Sequence, residues 1–326
     1  MIPDMSLRVE VVDRADVRQL LQWNRVLRDG YAVGRQQVWF RSDDATLAQF
    51  QDPHPARTSA LLIAKIGDVP VGAAEASVDP DEPAEVEVAV LDGFRRRGVG
   101  RMLLDAVRDT LRGTATILRT ETYSDAGVTF ARAEGLNIGI RESRQMVELP
   151  LSTAQLAAFP DAPAGINLRS WCGRCPDEVV EDWAELRARM SDDVPMGDLS
   201  RSPASVDVDA VRRNERRMHD QGYLLVRSLA CTNGDGIGYT EILLSRSDPE
   251  IVNQDDTFVD KNFRGRGIGR ALKAANLRLL MSVPESAESR SLQTYTALTN
   301  EPMLALNRSV GFHGVDTLTV LEGPLG

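Results

Sequence analysis

The chain has 326 residues, 42% of them hydrophobic, and 48 acidic side chains outnumber 38 basic ones for a formal charge of −10. That length exceeds one ordinary α/β core and predicts two soluble globular domains. The acidic excess argues against a nucleic-acid partner, which needs a basic surface, and suits a cationic or amine-bearing one.

In chain order, Leu7 to Val12 reads as a strand and Val17 to Leu27 as a helix. Leu61 to Ile66 and Pro70 to Ser77 read as paired strands around a Gly67-Asp68 turn. After a glycine-rich turn, Val99, Leu103, Val107 and Leu111 recur at helical spacing. Leu149 to Gly165 carries Pro150, Pro160 and Pro163 and little periodic apolar character apart from a short helical stretch, and reads as a connector. Gly165 to Arg169 then predicts a strand, and Pro176 to Met190 a helix with Val179, Trp183, Leu186 and Met190 on one face. Tyr223 to Ala230 and Ile237 to Ser245 predict a hairpin across Asn233-Gly234-Asp235-Gly236. Cys172 and Cys175 form a single C-x-x-C and read as reduced thiols, with no metal expected. No apolar run is long enough to span a bilayer and Met1 to Glu10 lacks signal-segment order, so a cytoplasmic protein without a membrane partner is expected.

An internal repeat organises the chain. VAVLDGFRRRGVGR at 88–101 returns as TFVDKNFRGRGIGR at 257–270, an offset of 257 − 88 = 169 residues. In both copies a short strand runs into Arg-x-x-Gly-x-Gly and a helix begins at once. Such a turn leaves backbone N–H groups unpaired at the positive end of a helix dipole, a site for a pyrophosphate. The Walker loop needs a lysine that neither copy has, and the dinucleotide fingerprint has a different glycine spacing and an earlier position.

Phe-Arg-x-x-Gly-x-Gly after a strand ending Val-x-Val or Thr-x-Val resembles the acetyl-CoA signature of the GCN5-related N-acetyltransferase (GNAT) superfamily. The resemblance implies an α/β fold (α+β mixed sheet) of two tandem GNAT domains, each a splayed mixed sheet flanked by helices. The expected division is 1–150, a linker at 151–164, and 165–326, with the second domain catalytic. Acetyl-CoA would be bound in the first domain by Val88, Ala89, Val90, Arg95, Arg96, Arg97, Gly98, Val99, Gly100 and Arg101. In the second it would be bound by Thr257, Phe258, Val259, Arg264, Gly265, Arg266, Gly267, Ile268, Gly269 and Arg270. The resemblance continues through Asn300, which in the family faces the cofactor at a helix start, to Gly311-Phe312. Asn307 stands where many members place an acidic tyrosine, and can only hydrogen-bond the departing thiolate.

Direct transfer needs a base to take a proton from the attacking amine and an acid for the thiolate. Glu241 and Asp256 are the candidate bases, with Asp255 beside them, and Tyr295 and Tyr239 the substitute acids. The acidic loop Met190 to Leu199, with Asp192, Asp193 and Asp198, is a candidate acceptor wall. The leading expectation is N-acetylation of a small amine by a monomer or homodimer. The alternatives are a mycothiol-synthase-like, protein or aminoglycoside acetyltransferase, or an acetyl-CoA sensor without turnover.

Overall fold

The computed structural model of this protein describes residues 6–35, 38–51, 58–79, 82–200 and 206–326. Contacts divide the chain into two compact units. The first comprises Met1–Ile140, Gly197–Ser202 and Leu318–Gly326, and the second Arg141–Met196 and Pro203–Thr317.

The first unit runs β1 (Leu7–Val11), α1 (Val17–Tyr31), α2 (Asp43–Gln51), β2 (Thr58–Ile66), β3 (Val69–Val78), β4 (Ala84–Val90), α3 (Val99–Thr110), β5 (Ile117–Thr122) and α4 (Asp125–Ala133). Strands β1 to β4 pair antiparallel in sequence order, β5 joins β4 in parallel, and the far side of β5 takes Thr319–Pro324 of the final strand, β12 (His313–Pro324). Alternation along β2 sends Leu62 and Ala64 to a core under α3, and Leu61 and Ile63 to a second core with Leu20, Trp23 and Leu27 of α1. Trp23 is fully buried, and its indole N–H donates to the Ala74 carbonyl at 2.9 Å, so this aromatic anchor leaves no unpaired donor.

The second unit runs β6 (Asn137–Glu148), α5 (Thr153–Ala157), β7 (Asn167–Cys172), α6 (Val180–Asp193), α7 (Val208–Asp220), β8 (Tyr223–Thr232), β9 (Asp235–Ser245), β10 (Ile251–Val259), α8 (Ile268–Leu280), β11 (Ser291–Ala297) and α9 (Glu301–Ser309). Strands β7 to β10 form an antiparallel meander, β11 joins β10 in parallel, and Glu142–Glu148 of β6 closes the sheet. The two sheets therefore have one topology, but the closing strands are exchanged: each unit is finished by a strand from the other half of the chain. The β8–β9 hairpin turns at Asn233 and Gly234, with φ of 52° and 98°, the left-handed pair that a two-residue hairpin demands.

Two expectations change. Residues 151–164 were read as a linker, yet Leu149 and Leu151 are buried with Leu156 and Phe159 in the second core, and Arg278 of α8 donates to the Leu156 and Phe159 carbonyls. The short helical stretch is α5, which contains Leu156, while Leu149, Leu151 and Phe159 flank it. Helix α7 was not expected, because its outer face carries Arg213, Arg216 and Arg217 and only Val211, Glu215 and Met218 are buried.

Candidate functional site

In both units the parallel strand pair opens. β4 meets β5 only at Ala84 opposite Leu118 and Glu85 opposite Arg119, and β10 meets β11 only at Ile251, Val252 and Asn253. Past those points Val88–Val90 and Thr257–Val259 diverge from their parallel neighbours. The strand ends are tied alike: Arg95 Nε donates to the Val90 carbonyl at 3.0 Å, and Arg264 Nε to the Val259 carbonyl at 2.8 Å. Arg264 also pairs with Asp193 of α6. These two arginines hold the turn in shape.

Gly98 and Gly267 take φ of 84° and 81° and start α3 and α8, and neither helix has a side-chain cap on its first N–H groups. A Cβ at either glycine would meet open space. The first-turn donors of both helices thus face outward with nothing bulky over them. Arg96, at the place of Gly265 in the repeat, is held at φ 62°, a conformation costly for a side-chain-bearing residue. Arg96→Gly is expected to stabilise the first unit by about 0.5–1 kcal/mol, measured as a raised urea midpoint.

Next to each signature strand lies a carboxylate group of unusual chemistry. In β10 a bulge between Gln254 and Thr257 inserts an extra residue against β9, presenting Asp255 and Asp256 side by side. Gln254 Nε2 stitches the bulge by donating to the Glu241 and Asp255 carbonyls at 2.7 and 3.3 Å. Asp255 keeps an open edge to solvent, yet desolvation by the surrounding protein, then the charges of Asp256 and Glu241, push it up to about 8. Asp256 is raised as well, chiefly by burial; its Oδ2 accepts from the Tyr239 hydroxyl at 3.2 Å and lies 3.9 Å from Arg187. In the first unit β4 has no bulge, and Glu87 stands directly opposite Glu75 of β3. Burial and then the Glu75 charge push Glu87 up to about 8, while Glu75 is ion-paired to Arg41 at 2.5 Å.

A family profile described as "Acetyltransferase (GNAT) family" matches residues 20–131 and again 183–312. The chain belongs to the GNAT acetyltransferase family. It is an acyltransferase built as a GNAT tandem. It is 30% identical over 311 residues to a mycothiol acetyltransferase of Salinispora arenicola (strain CNS-205), covering 95% of this chain and 94% of that one. A mycothiol acetyltransferase of Clavibacter sepedonicus is 30% identical over 256 residues, 77% of this chain and 76% of the relative. A tandem GNAT protein from the clavulanic acid biosynthesis pathway superposes with a TM-score of 0.80 at 23% identity, covering 98% and 99% of the two chains. A GCN5-related N-acetyltransferase from Sphaerobacter thermophilus gives 0.71 at 16% identity, covering 100% and 97%. These two solved structures share the fold.

Against that GNAT frame, the expected residues take different places. Glu241 is 1% exposed; Arg227 holds one carboxylate oxygen and Arg187 the other at 3.0 Å, so both oxygens are engaged in ion pairs. The alternation that places Glu241 beside the signature strand also turns it inward, which the sequence pattern does not reveal. Tyr239 is fully buried with its hydroxyl raised well above its usual range, first by desolvation, and serves as a donor to Asp256. Asn307 is fully buried, its amide donating to Gln145 at 2.8 Å and Thr296 at 3.1 Å, so it is spent on the core. Asn300 caps α9 through the Met303 N–H at 3.3 Å. Tyr295 is half-buried on β11, opposite Arg144. Asp192 and Asp193 end α6, while Asp198 belongs to the first unit, its N–H on the Gly139 carbonyl. Cys175 is buried, which pushes its thiol up to about 12, whereas Cys172 of the same C-x-x-C is exposed.

The sequence reading passed over Glu87. Its signal was present: 256 − 87 = 169, the repeat offset, makes it the counterpart of Asp256. It also missed the chain of charges Arg187, Glu241, Arg227, Glu215 and Arg212, of which the middle three are buried and whose members are spread over four elements.

Proposed function

We propose that this protein transfers an acetyl group from acetyl-CoA to the amine of a small molecule, with the second unit as the transfer centre. The observation carrying the reading is the Asp255–Asp256 pair, set by a bulge immediately before the diverging Thr257–Val259 segment and the uncapped start of α8. The fit to a pyrophosphate rests on Gly267, whose missing Cβ leaves open space over the free first-turn donors of α8. When bound, acetyl-CoA supplies an activated acyl group that passes to nitrogen as its C–S bond breaks. The chain's part is acid–base. Asp255, with its open edge, takes the proton of the attacking ammonium, and Asp256, anchored by Tyr239 and facing Arg187, keeps a second negative charge beside it. The first unit offers the same loop and Glu87 in place of the pair. The mycothiol acetyltransferase relatives make a mycothiol precursor the first acceptor to try.

Two measurements test this. Calorimetric titration with acetyl-CoA should show binding that Gly267→Val weakens about 10- to 100-fold, because a β-branched residue at φ 81° both strains the turn and fills the anion site. An intact affinity in this variant would sink the assignment of the second loop. Because Asp255 must be deprotonated to act and sits at about 8, kcat/KM should climb with pH and level off above that value. Asp255→Asn should lower kcat/KM by about 10²–10⁴ and remove the climb.

A second reading, a sensor without turnover, draws on the burial of Asn307 where many relatives carry an acid. Tight acetyl-CoA binding with no amine-dependent thiol release would favour it.

A further inference from the structure

At the C-terminal end of α1 the first unit holds a cluster of aromatic rings around one arginine. Tyr31 and Tyr123 meet edge to face, centroids 5.6 Å apart at 84°, and the Tyr31 hydroxyl donates to that of Tyr123 at 3.1 Å. Phe40 adds a third ring, 5.4 Å from Tyr31. Into this corner comes the guanidinium of Arg35, its central carbon 3.3 Å from the Tyr123 centroid and 4.4 Å from that of Tyr31, with Nη1 shielded from solvent. Arg35 reaches it from the segment just after α1, so a single local turn of backbone sets the cation there.

Aromatic corners of this kind recognise cations through the negative faces of the rings, most strongly where water is excluded. Tyr123 follows β5 directly, on the side from which β4 diverges, and Glu121 two residues earlier acts electrostatically on both Tyr31 and Glu87. The corner and the raised carboxyl of β4 therefore share one neighbourhood within the first unit. The charge of Glu121, which acts on Tyr31, would act on a cation seated on the rings as well.

We propose that the first unit holds its own site for a small organic cation, an alkylguanidine or primary amine, walled by Tyr31, Phe40 and Tyr123 beside Glu121, and that Arg35 fills this site as an internal stand-in. The tandem then carries two separate recognition sites for cations, and the first is self-blocked. An incoming ligand must displace Arg35, so its apparent affinity falls by the fraction of molecules in which the corner is open.

Agmatine, which carries both a guanidinium and a primary amine, is the probe. Calorimetric titrations use the full chain without acetyl-CoA, so the outcome is independent of whether the transferase reading holds. Arg35→Ala should bind agmatine at least about tenfold more tightly than the unaltered protein. Adding Tyr123→Ala should cancel that gain, adding Tyr123→Phe should keep it because the ring face remains, and adding Glu121→Gln should diminish it. No gain in Arg35→Ala, or a gain that survives both Tyr123→Ala and Glu121→Gln, overturns the proposal. Should Tyr123→Ala fail to fold, the Tyr123→Phe and Glu121→Gln pair still decides it: a gain lost with phenylalanine, or untouched by glutamine, counts against a cation site.

Discussion

Replacing Arg227 with methionine is expected to destabilise the second unit by about 3–5 kcal/mol, measured by the urea or thermal midpoint. Arg227 is buried, its Nε and Nη1 bind Glu241 and Glu215, the latter at 2.5 Å, and its guanidinium lies 5.0 Å from the Trp183 ring. Its loss leaves two buried carboxylates short of a partner. Arg187 and Arg212 each retain one contact, so the damage comes mainly from charge left uncompensated in a poorly hydrated place. The double variant Arg227→Met with Glu241→Gln should recover part of the loss, since it removes one of the orphaned charges. A cost below about 1 kcal/mol for Arg227→Met would show that water reaches the network and that Glu241 is freer than its contacts imply.

Lys273→Leu should stabilise the protein at neutral pH. The side chain is 1% exposed on α8, its ammonium is 5.5 Å from the Phe312 ring, and desolvation brings its pKa from 10.5 down to about 7. The counterpart one repeat earlier is the buried Leu104. A lowered folded-state pKa means that the unfolded chain binds the extra proton between about 7 and 10.5. Stability of the unaltered protein therefore rises with pH through that window, and below it the cost of the buried charge is complete. At about 1.4 kcal/mol per pH unit the cost at pH 7 is several kcal/mol, with roughly 5 as a ceiling. The leucine variant should gain most of that at pH 7 and lose the pH slope. Equal midpoints for the two proteins from pH 6 to 10 would mean that Lys273 reaches water.

How legible the protein was depends on the scale of the question. The repeat at 88–101 and 257–270 exposed both loops, because backbone geometry at Gly98 and Gly267 is a local property written in local residues. The side-chain chemistry was less visible. Glu241 and Asp255 lie on adjacent strands of one sheet, and which of them faces solvent is decided by a bulge that no periodicity marks. Arg35 and Tyr123 are 88 residues apart (123 − 35) and meet only through the fold. Helix α7 was hidden for the opposite reason, being so polar that its three buried positions carried too little signal.

The exchanged closing strands also govern how the chain can be made. A ribosome delivers β1 to β5 early, but the segment that pairs with β5 starts 197 residues after β5 ends (319 − 122), and Leu318, Val320, Leu321 and Leu325 are all buried there. Until they emerge, the first sheet has an open edge, the kind that invites pairing with another chain. The second sheet has no such wait, since β6 precedes all of its neighbours. Completion of the nascent protein thus runs backwards, the unit begun first being sealed last, and a chain broken off before Leu318 would spoil the half of the molecule farthest from the break in sequence.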